Sequence, residues 1–223
     1  VADSNGRQIK KFSSEGVFIS THGIWGEGDY QMKSPVDIAI DPEGNYYIFD
    51  EDLFRIQKYN SNWNWMFNTG ERGSDHGKFL SPSSIAVDNN NIYAIDSEKQ
   101  SVQVFNKENG AFISEFGSFG SSDGQLNSPW GIAIDNDGNL FIAEGIGGRI
   151  QKFTNTGTYL AKFGSLGFEN GQFSNPGSVG VDSNGNIFVA DAYFGRIQKF
   201  NSSFEYQTQW GIPSNANING QLR

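Results

Sequence analysis

The sequence predicts an all-β fold built from five copies of one four-stranded unit, and three observations predict it. Pro35, Pro82, Pro129 and Pro176, four of the six prolines, stand 47 residues apart, as do Asp41, Asp88, Asp135 and Asp182. A second acidic series, Asp3, Asp50, Asp96, Glu144 and Asp191, keeps that period to within one residue. Apolar residues never recur at helical spacing, while Gly or Asn interrupts the chain at the roughly 8–12-residue spacing of hairpin-linked strands. A self-similar unit of about 40 to 50 residues holding four short strands is the signature of a β-propeller blade, which buries both faces only by stacking on neighbours.

The elements follow in order within each unit. The first strand is Ile38 to Asp41, repeated as Ile85 to Asp88, Ile132 to Asp135 and Val179 to Asp182. Turns such as Asn136-Asp137-Gly138-Asn139 come next, carrying the Asx and Gly residues that positive φ angles require. The second strands are Tyr46 to Asp50, Ile92 to Asp96, Leu140 to Glu144 and Ile187 to Asp191, with Val1-Ala2-Asp3 as a remnant of the same element. The third, Arg55 to Tyr59, Arg149 to Phe153 and Arg196 to Phe200, alternates apolar and polar residues with the period of two of a half-buried strand. The fourth, Ala111 to Phe116 or Thr158 to Phe163, ends in an aromatic residue followed by Gly. These elements form a single domain over residues 1–223, with repeats at about 1–35, 36–82, 83–129, 130–176 and 177–223.

Composition narrows the function. The formal charge of −9 argues against nucleic acid as a partner, because that partnership needs clustered Lys and Arg to displace counterions. The absence of Cys removes disulfides, thiolate nucleophiles and Cys-based metal sites. No apolar run approaches the length of a membrane-inserted helix. Little Lys and abundant Asn, Ser and Gly suit an extracellular or cell-surface location.

The run Pro129-Trp130-Gly131-Ile132-Ala133-Ile134-Asp135, then Asp137-Gly138-Asn139-Leu140 to Glu144, then Arg149-Ile150-Gln151-Lys152-Phe153 resembles an NHL repeat, as does the linker from Phe163-Gly164-Ser165 to Gly171-Gln172-Phe173. The resemblance covers the whole chain and implies a β-propeller of four-stranded antiparallel blades. Five blades are visible, one of them lacking its innermost strand. The family usually has six blades, so the chain reads as part of a six-bladed ring; the alternative is five blades that close by themselves. An open ring would leave blade edges free for self-association.

The resemblance also implies that the interblade linkers and the loops joining second to third strands share one face, where related proteins bind ligands. On that face Trp130, Phe54, Tyr193, Phe194 and Ile146 are large apolar residues at positions that need only small polar ones, and they are the candidate contacts for a protein or small extracellular ligand. The strand-ending acids are read as braces: Arg55, Arg149 and Arg196 lie five residues after Asp50, Glu144 and Asp191, where an Arg fork meets a carboxylate across the hairpin. Asp96 has Ser101 in place of that Arg and so reads as freer to meet a ligand. His22 and His76 are candidate metal ligands, too few for the usual site of three protein ligands unless an acid joins them. No catalytic motif and no cofactor is visible. The reading is a non-enzymatic binding or scaffold propeller, and the alternative is a metal-dependent lyase or hydrolase of the six-bladed type.

Overall fold

A computed structural model describes residues 1–211, and among these residues every regular element is a β-strand. Residues 212–223 lie outside the described residues. The chain divides into two compact units, Val1–Phe119 and the residues from Gly120 onward.

The first unit holds three blades. Among the described residues blade A has three strands, β1 (Ala2–Asp3), β2 (Gln8–Phe12) and β3 (Phe18–His22), with no innermost strand, as the sequence predicts. A short parallel pair, β4 (Ile24–Trp25) with β5 (Gln31–Met32), leads into blade B: β6 (Pro35–Ile40), β7 (Tyr46–Asp50), β8 (Arg55–Tyr59) and β9 (Trp65–Thr69). Blade C follows as β10 (Pro82–Val87), β11 (Asn91–Asp96), β12 (Ser101–Asn106) and β13 (Phe112–Phe116). The second unit holds blade D, β14 (Pro129–Ile134), β15 (Leu140–Glu144), β16 (Arg149–Phe153) and β17 (Tyr159–Phe163), and blade E, β18 (Pro176–Val181), β19 (Ile187–Asp191), β20 (Arg196–Phe200) and β21 (Tyr206–Gly211). Each blade is an antiparallel meander of neighbouring strands, the arrangement of a β-propeller.

The first strands begin at the repeat proline, three residues earlier than their apolar run implies. In every four-stranded blade the ladder skips one residue after that proline, between Pro35 and Asp37, Pro82 and Ser84, Pro129 and Gly131, and Pro176 and Ser178. Val36, Ser83, Trp130 and Gly177 are thus bulged out of the pairing, and a bulge turns its side chain away from the sheet.

Blade faces are packed by residues in repeat register. Tyr59, Phe105, Phe153 and Phe200 are all buried. The linkers contribute Met32, Phe79, Leu126 and Phe173, each no more than 1% exposed. Phe79 meets Phe49 of blade B at 4.8 Å and Phe105 of blade C at 5.7 Å between ring centroids, so the linker residue wedges between the two sheets. Innermost strands approach closely. An added Cβ on Gly131 would stand 2.7 Å from the Ser178 Cα, so only Gly fits there. At the matching position of blade B, Asp37 uses its carboxylate to bridge the gap, accepting from the Ser84 hydroxyl at 2.6 Å and the Ile85 N–H at 2.9 Å.

The aspartates ending the first strands hold their turns, as predicted. Asp41 accepts from the Asn45 N–H, Asp88 from Asn91, Asp135 from Asn139 and Asp182 from Asn186, each at 2.7 or 2.8 Å. Such Asx bonds substitute for backbone pairing in a tight turn.

One polar device recurs through both units. Gln103, Gln151 and Gln198 are fully buried, and each accepts the N–H of a linker glycine (Gly77, Gly124, Gly171) while donating to the carbonyl of the next residue (Lys78, Gln125, Gln172). Replacing Gln151 by Leu keeps the volume but strands one buried donor and one buried acceptor, at about 1–3 kcal/mol each. Urea unfolding of the chain should therefore show Gln151→Leu destabilised by about 3 kcal/mol, with Gln207→Leu on the exposed outer strand close to neutral; equal midpoints for the two would refute the role given to the buried glutamine.

Candidate functional site

Because strands alternate in direction, the linker and the loop joining second to third strands meet at one end of each blade. Asp50, Asp96, Glu144 and Asp191, which end the second strands of blades B to E, sit there and are wholly buried. Asp50 accepts from the backbone N–H groups of Lys33, Ser34 and Leu53, and Asp191 from those of Ser174 and Asn175. Asp96 accepts from Leu80, Ser81, Glu98 and Lys99. Its freedom to meet a ligand, expected from the missing Arg, is corrected: four N–H donors saturate it.

The Arg braces are also re-aimed. Arg149 does bond Glu144, Nε to Oε1 at 2.8 Å, but the Arg196 Nε stands 3.9 Å from Asp191, and no ion pair joins Arg55 to Asp50. Glutamate is one methylene longer and reaches its Arg, whereas aspartate turns to the linker. All three guanidinium groups reach back to linker carbonyls instead: Arg55 to Glu27, Gly28 and Gln31, Arg149 to Ser121, Ser122 and Gln125, and Arg196 to Phe168, Glu169 and Gln172.

Of the apolar candidates, three are presented and two are packed. Trp130, Ile146 and Tyr193 are 46%, 66% and 64% exposed. The bulge throws Trp130 out of β14; its indole N–H donates to the Ser128 Oγ at 2.8 Å, and an added Cβ on Gly145 would crowd both Trp130 and the Asn175 amide. Blade D thus offers a fixed indole beside an amide. Phe194 is buried under the Arg196 guanidinium, and Phe54 packs into the blade B and C core with Arg72 over its ring at 5.2 Å. Both belong to the support of the linker face, because a ring beside a guanidinium gains more by covering it than by facing water.

The two histidines have separate environments. His22 ends β3, in the slot where other fourth strands carry Phe116 or Phe163, and its ring stacks on Trp63 at 3.9 Å and 5°. Trp63 stacks in turn on Tyr46. Burial, and secondarily the charge of Lys11, lowers the His22 pKa. His76, in the linker before blade C, is 75% exposed at its side chain and places Nδ1 2.8 Å from Glu115 Oε2. Glu115 is itself held by the Ser101 hydroxyl at 2.5 Å and by Lys99 at 3.1 Å. Burial alone would raise that carboxyl, but Ser101, His76 and Lys99 hold it below the ordinary glutamate value. Ser101 stands where Arg fills the space in blades B, D and E. Glu115 was missed from the sequence, although its place in register with Asn68 and Lys162, partners of the linker residues Asp29 and Asp123, marks it.

Among the described residues no three His, Asp or Glu side chains converge to hold a metal ion. The acids are spent on linker N–H groups and the histidines are differently engaged, so these residues do not fit the metal centre for which His22 and His76 were candidates.

Residues 20–164 match the SMP-30/Gluconolactonase/LRE-like region, and residues 173–200 match the NHL repeat. The chain belongs to the SMP-30/gluconolactonase/LRE-like family. No curated protein sequence matches it. Solved structures share its fold: a streptogramin B lyase (17% identity, TM-score 0.68, covering 95% of this chain and 64% of that one); a catalytically inactive His-to-Ala variant of virginiamycin B lyase from Staphylococcus aureus with quinupristin (16%, 0.66, 96% and 65%); and a gluconolactonase from Xanthomonas campestris (15%, 0.66, 96% and 71%). The chain spans about two thirds of the length of these lyases. At such identity the likeness establishes the fold. The expectation of a non-enzymatic scaffold is overturned by membership of the SMP-30/gluconolactonase/LRE-like family, whose neighbours in fold are a lactonase and lyases.

The His22 stack has a pH consequence. A folded pKa below the unfolded value of about 6.5 means that the unfolded chain binds more protons, so stability is full above about pH 6.5 and falls as pH drops from there toward the folded pKa. His22→Phe, which copies Phe163, should narrow the difference in melting temperature between about pH 7.5 and pH 5. An unchanged difference would remove His22 as its source.

Proposed function

We propose that this chain supplies a catalytic propeller of the lactone-hydrolase or lyase class, acting on a small molecule at the linker face. The match to the SMP-30/gluconolactonase/LRE-like region over residues 20–164 carries this reading. Each unit, taken by itself, carries residues that support it. In the second unit Trp130, Ile146 and Tyr193 are an exposed apolar platform with Asn175 beside it, suited to binding a ring-shaped substrate.

In the first unit His76 is the acid–base candidate. Its Nδ1 is held by Glu115, which leaves Nε2 toward solvent, and a carboxylate behind an imidazole fixes both ring orientation and tautomer. In lactone hydrolysis such an imidazole takes a proton from the attacking water; the carbonyl C–O bond of the ring breaks, and the imidazolium returns the proton to the departing alkoxide. In elimination it takes a proton from the carbon next to the breaking C–O bond; the C–H electrons form a C=C bond, and the oxygen side leaves with the C–O electron pair as a carboxylate. Virginiamycin B lyase, inactive in its His-to-Ala variant, lends weight to a histidine in this role. His22, stacked on Trp63, is not placed for it.

Two substrates separate the chemistries. The chain should hydrolyse glucono-δ-lactone faster than buffer, followed by acid release, or consume quinupristin, followed by mass spectrometry. His76→Ala should lose about 10²-fold in kcat/KM while His22→Phe retains activity. Turnover of neither substrate would overturn the reading.

A further inference from the structure

The first unit contains a cavity of about 360 Å³ on the flank of blades A and B, and it is not part of the linker-face site. Its floor is Met32 and Tyr59, and its walls include Tyr30, Trp63 and Trp65. Tyr30 stands where the other linkers have Gly77, Gly124 and Gly171. Trp63 occupies a turn position held by Gly16, Gly110 and Gly157 in blades A, C and D and by Phe204 in blade E, at φ 63°, a left-handed conformation costing roughly 1–2 kcal/mol without glycine. His22 stands where Thr69, Phe116, Phe163 and Trp210 stand in the other blades, and Asn64 where Val17, Ala111, Thr158 and Glu205 do.

The walls are rigid. Trp63 is covered on both faces by His22 and Tyr46, so the rings left open are Trp65 and Tyr30, 38% and 56% exposed. The Trp65 indole N–H is fixed on the Asn68 Oδ1 at 3.0 Å, and Asn68 on Asp29. The Tyr59 hydroxyl donates to the Tyr30 carbonyl. Two polar groups at the rim remain uncommitted within the described residues: the side-chain amide of Asn64 and the Nδ1 of His22, whose Nε2 meets Ser20. No Lys, Arg, Asp or Glu lines the cavity.

From these features we infer a binding site for a neutral sugar ring. A pyranose presents an apolar C–H face to an aromatic wall and hydroxyls at its edge, which an amide meets as donor and acceptor together. An anion would find no cation here and a cation no carboxylate. The volume suits one or two sugar units. The site stands apart from lactone turnover, so a chain that fails to cleave any lactone still tests it.

Isothermal titration of the chain with methyl β-glucopyranoside, N-acetylglucosamine, cellobiose and maltose checks the inference. At least one should bind saturably. Trp65→Ala should weaken binding at least about tenfold, and Asn64→Ala and Tyr30→Gly, exposed changes that leave the fold intact, should weaken it several-fold. His76→Ala should leave it unchanged. Binding of none of the four sugars overturns the inference. So does sugar binding indifferent to Trp65, Asn64 and Tyr30, or saturable binding of tetramethylammonium alone, which would make the cavity a cation cage.

Discussion

The interblade linker is where this fold is most exposed to failure. Each linker is an irregular segment that dips between two sheets, carrying Met32, Phe79, Leu126 or Phe173 into the core. Its peptide groups leave water without a strand to pair with, and a buried N–H or C=O without a partner costs as much as a lost hydrogen bond. The blade that follows satisfies them with side chains. A carboxylate ending the second strand takes the N–H groups at the inner end of the linker. An Arg opening the third strand of blades B, D and E takes carbonyls, and a Gln two residues later takes one of each in blades C, D and E and two carbonyls in blade B. The repeat is therefore fixed by an Asp/Glu, Arg and Gln set whose members are nearly all buried and all polar.

This constraint explains where function has room. Positions of the set cannot change freely, because each holds two or more backbone groups. Blade C shows what happens where one member is lost: Ser101 takes the Arg place, and Glu115, Lys99 and His76 gather in the space. The bulge after the repeat proline is another free position. It lies outside the ladder, so Val36, Ser83, Trp130 and Gly177 differ without disturbing pairing, and a Trp there faces outward. At the junction of blades A and B, the stacked rings of His22, Trp63 and Tyr46 replace the Phe204 and Phe163 pair that joins blades D and E, and a cavity opens beside them.

The strand order and the bounds of the second and third strands were legible in the sequence, because burial in a blade imposes period two along strands and the repeat imposes 47 along the chain. The three-stranded first blade followed from the same count. Site residues were less legible. Asp96 looked free because only its Arg was considered, whereas backbone donors, which no sequence displays, claim it. Phe194 and Phe54 share their loops with Tyr193 and Leu53, and nothing in their composition says which ring turns inward. Glu115 could have been found by aligning fourth strands, and the stacking of His22 by noticing that it stands before Gly23 in a slot that holds an aromatic residue in blades C, D and E.

By itself the sequence determined the blade: four strands and the Asx turns between the first two. These depend on local propensity and on spacing, which a linear pattern records. Only the tertiary structure decided what each polar group does. Asp50 and Asp96 turn into the linker, Arg55 reaches back to Glu27, Gly28 and Gln31, His76 meets Glu115, and Trp130 stands clear of its sheet. Those outcomes depend on which backbone groups folding leaves without partners, and such groups exist only once distant segments have come together.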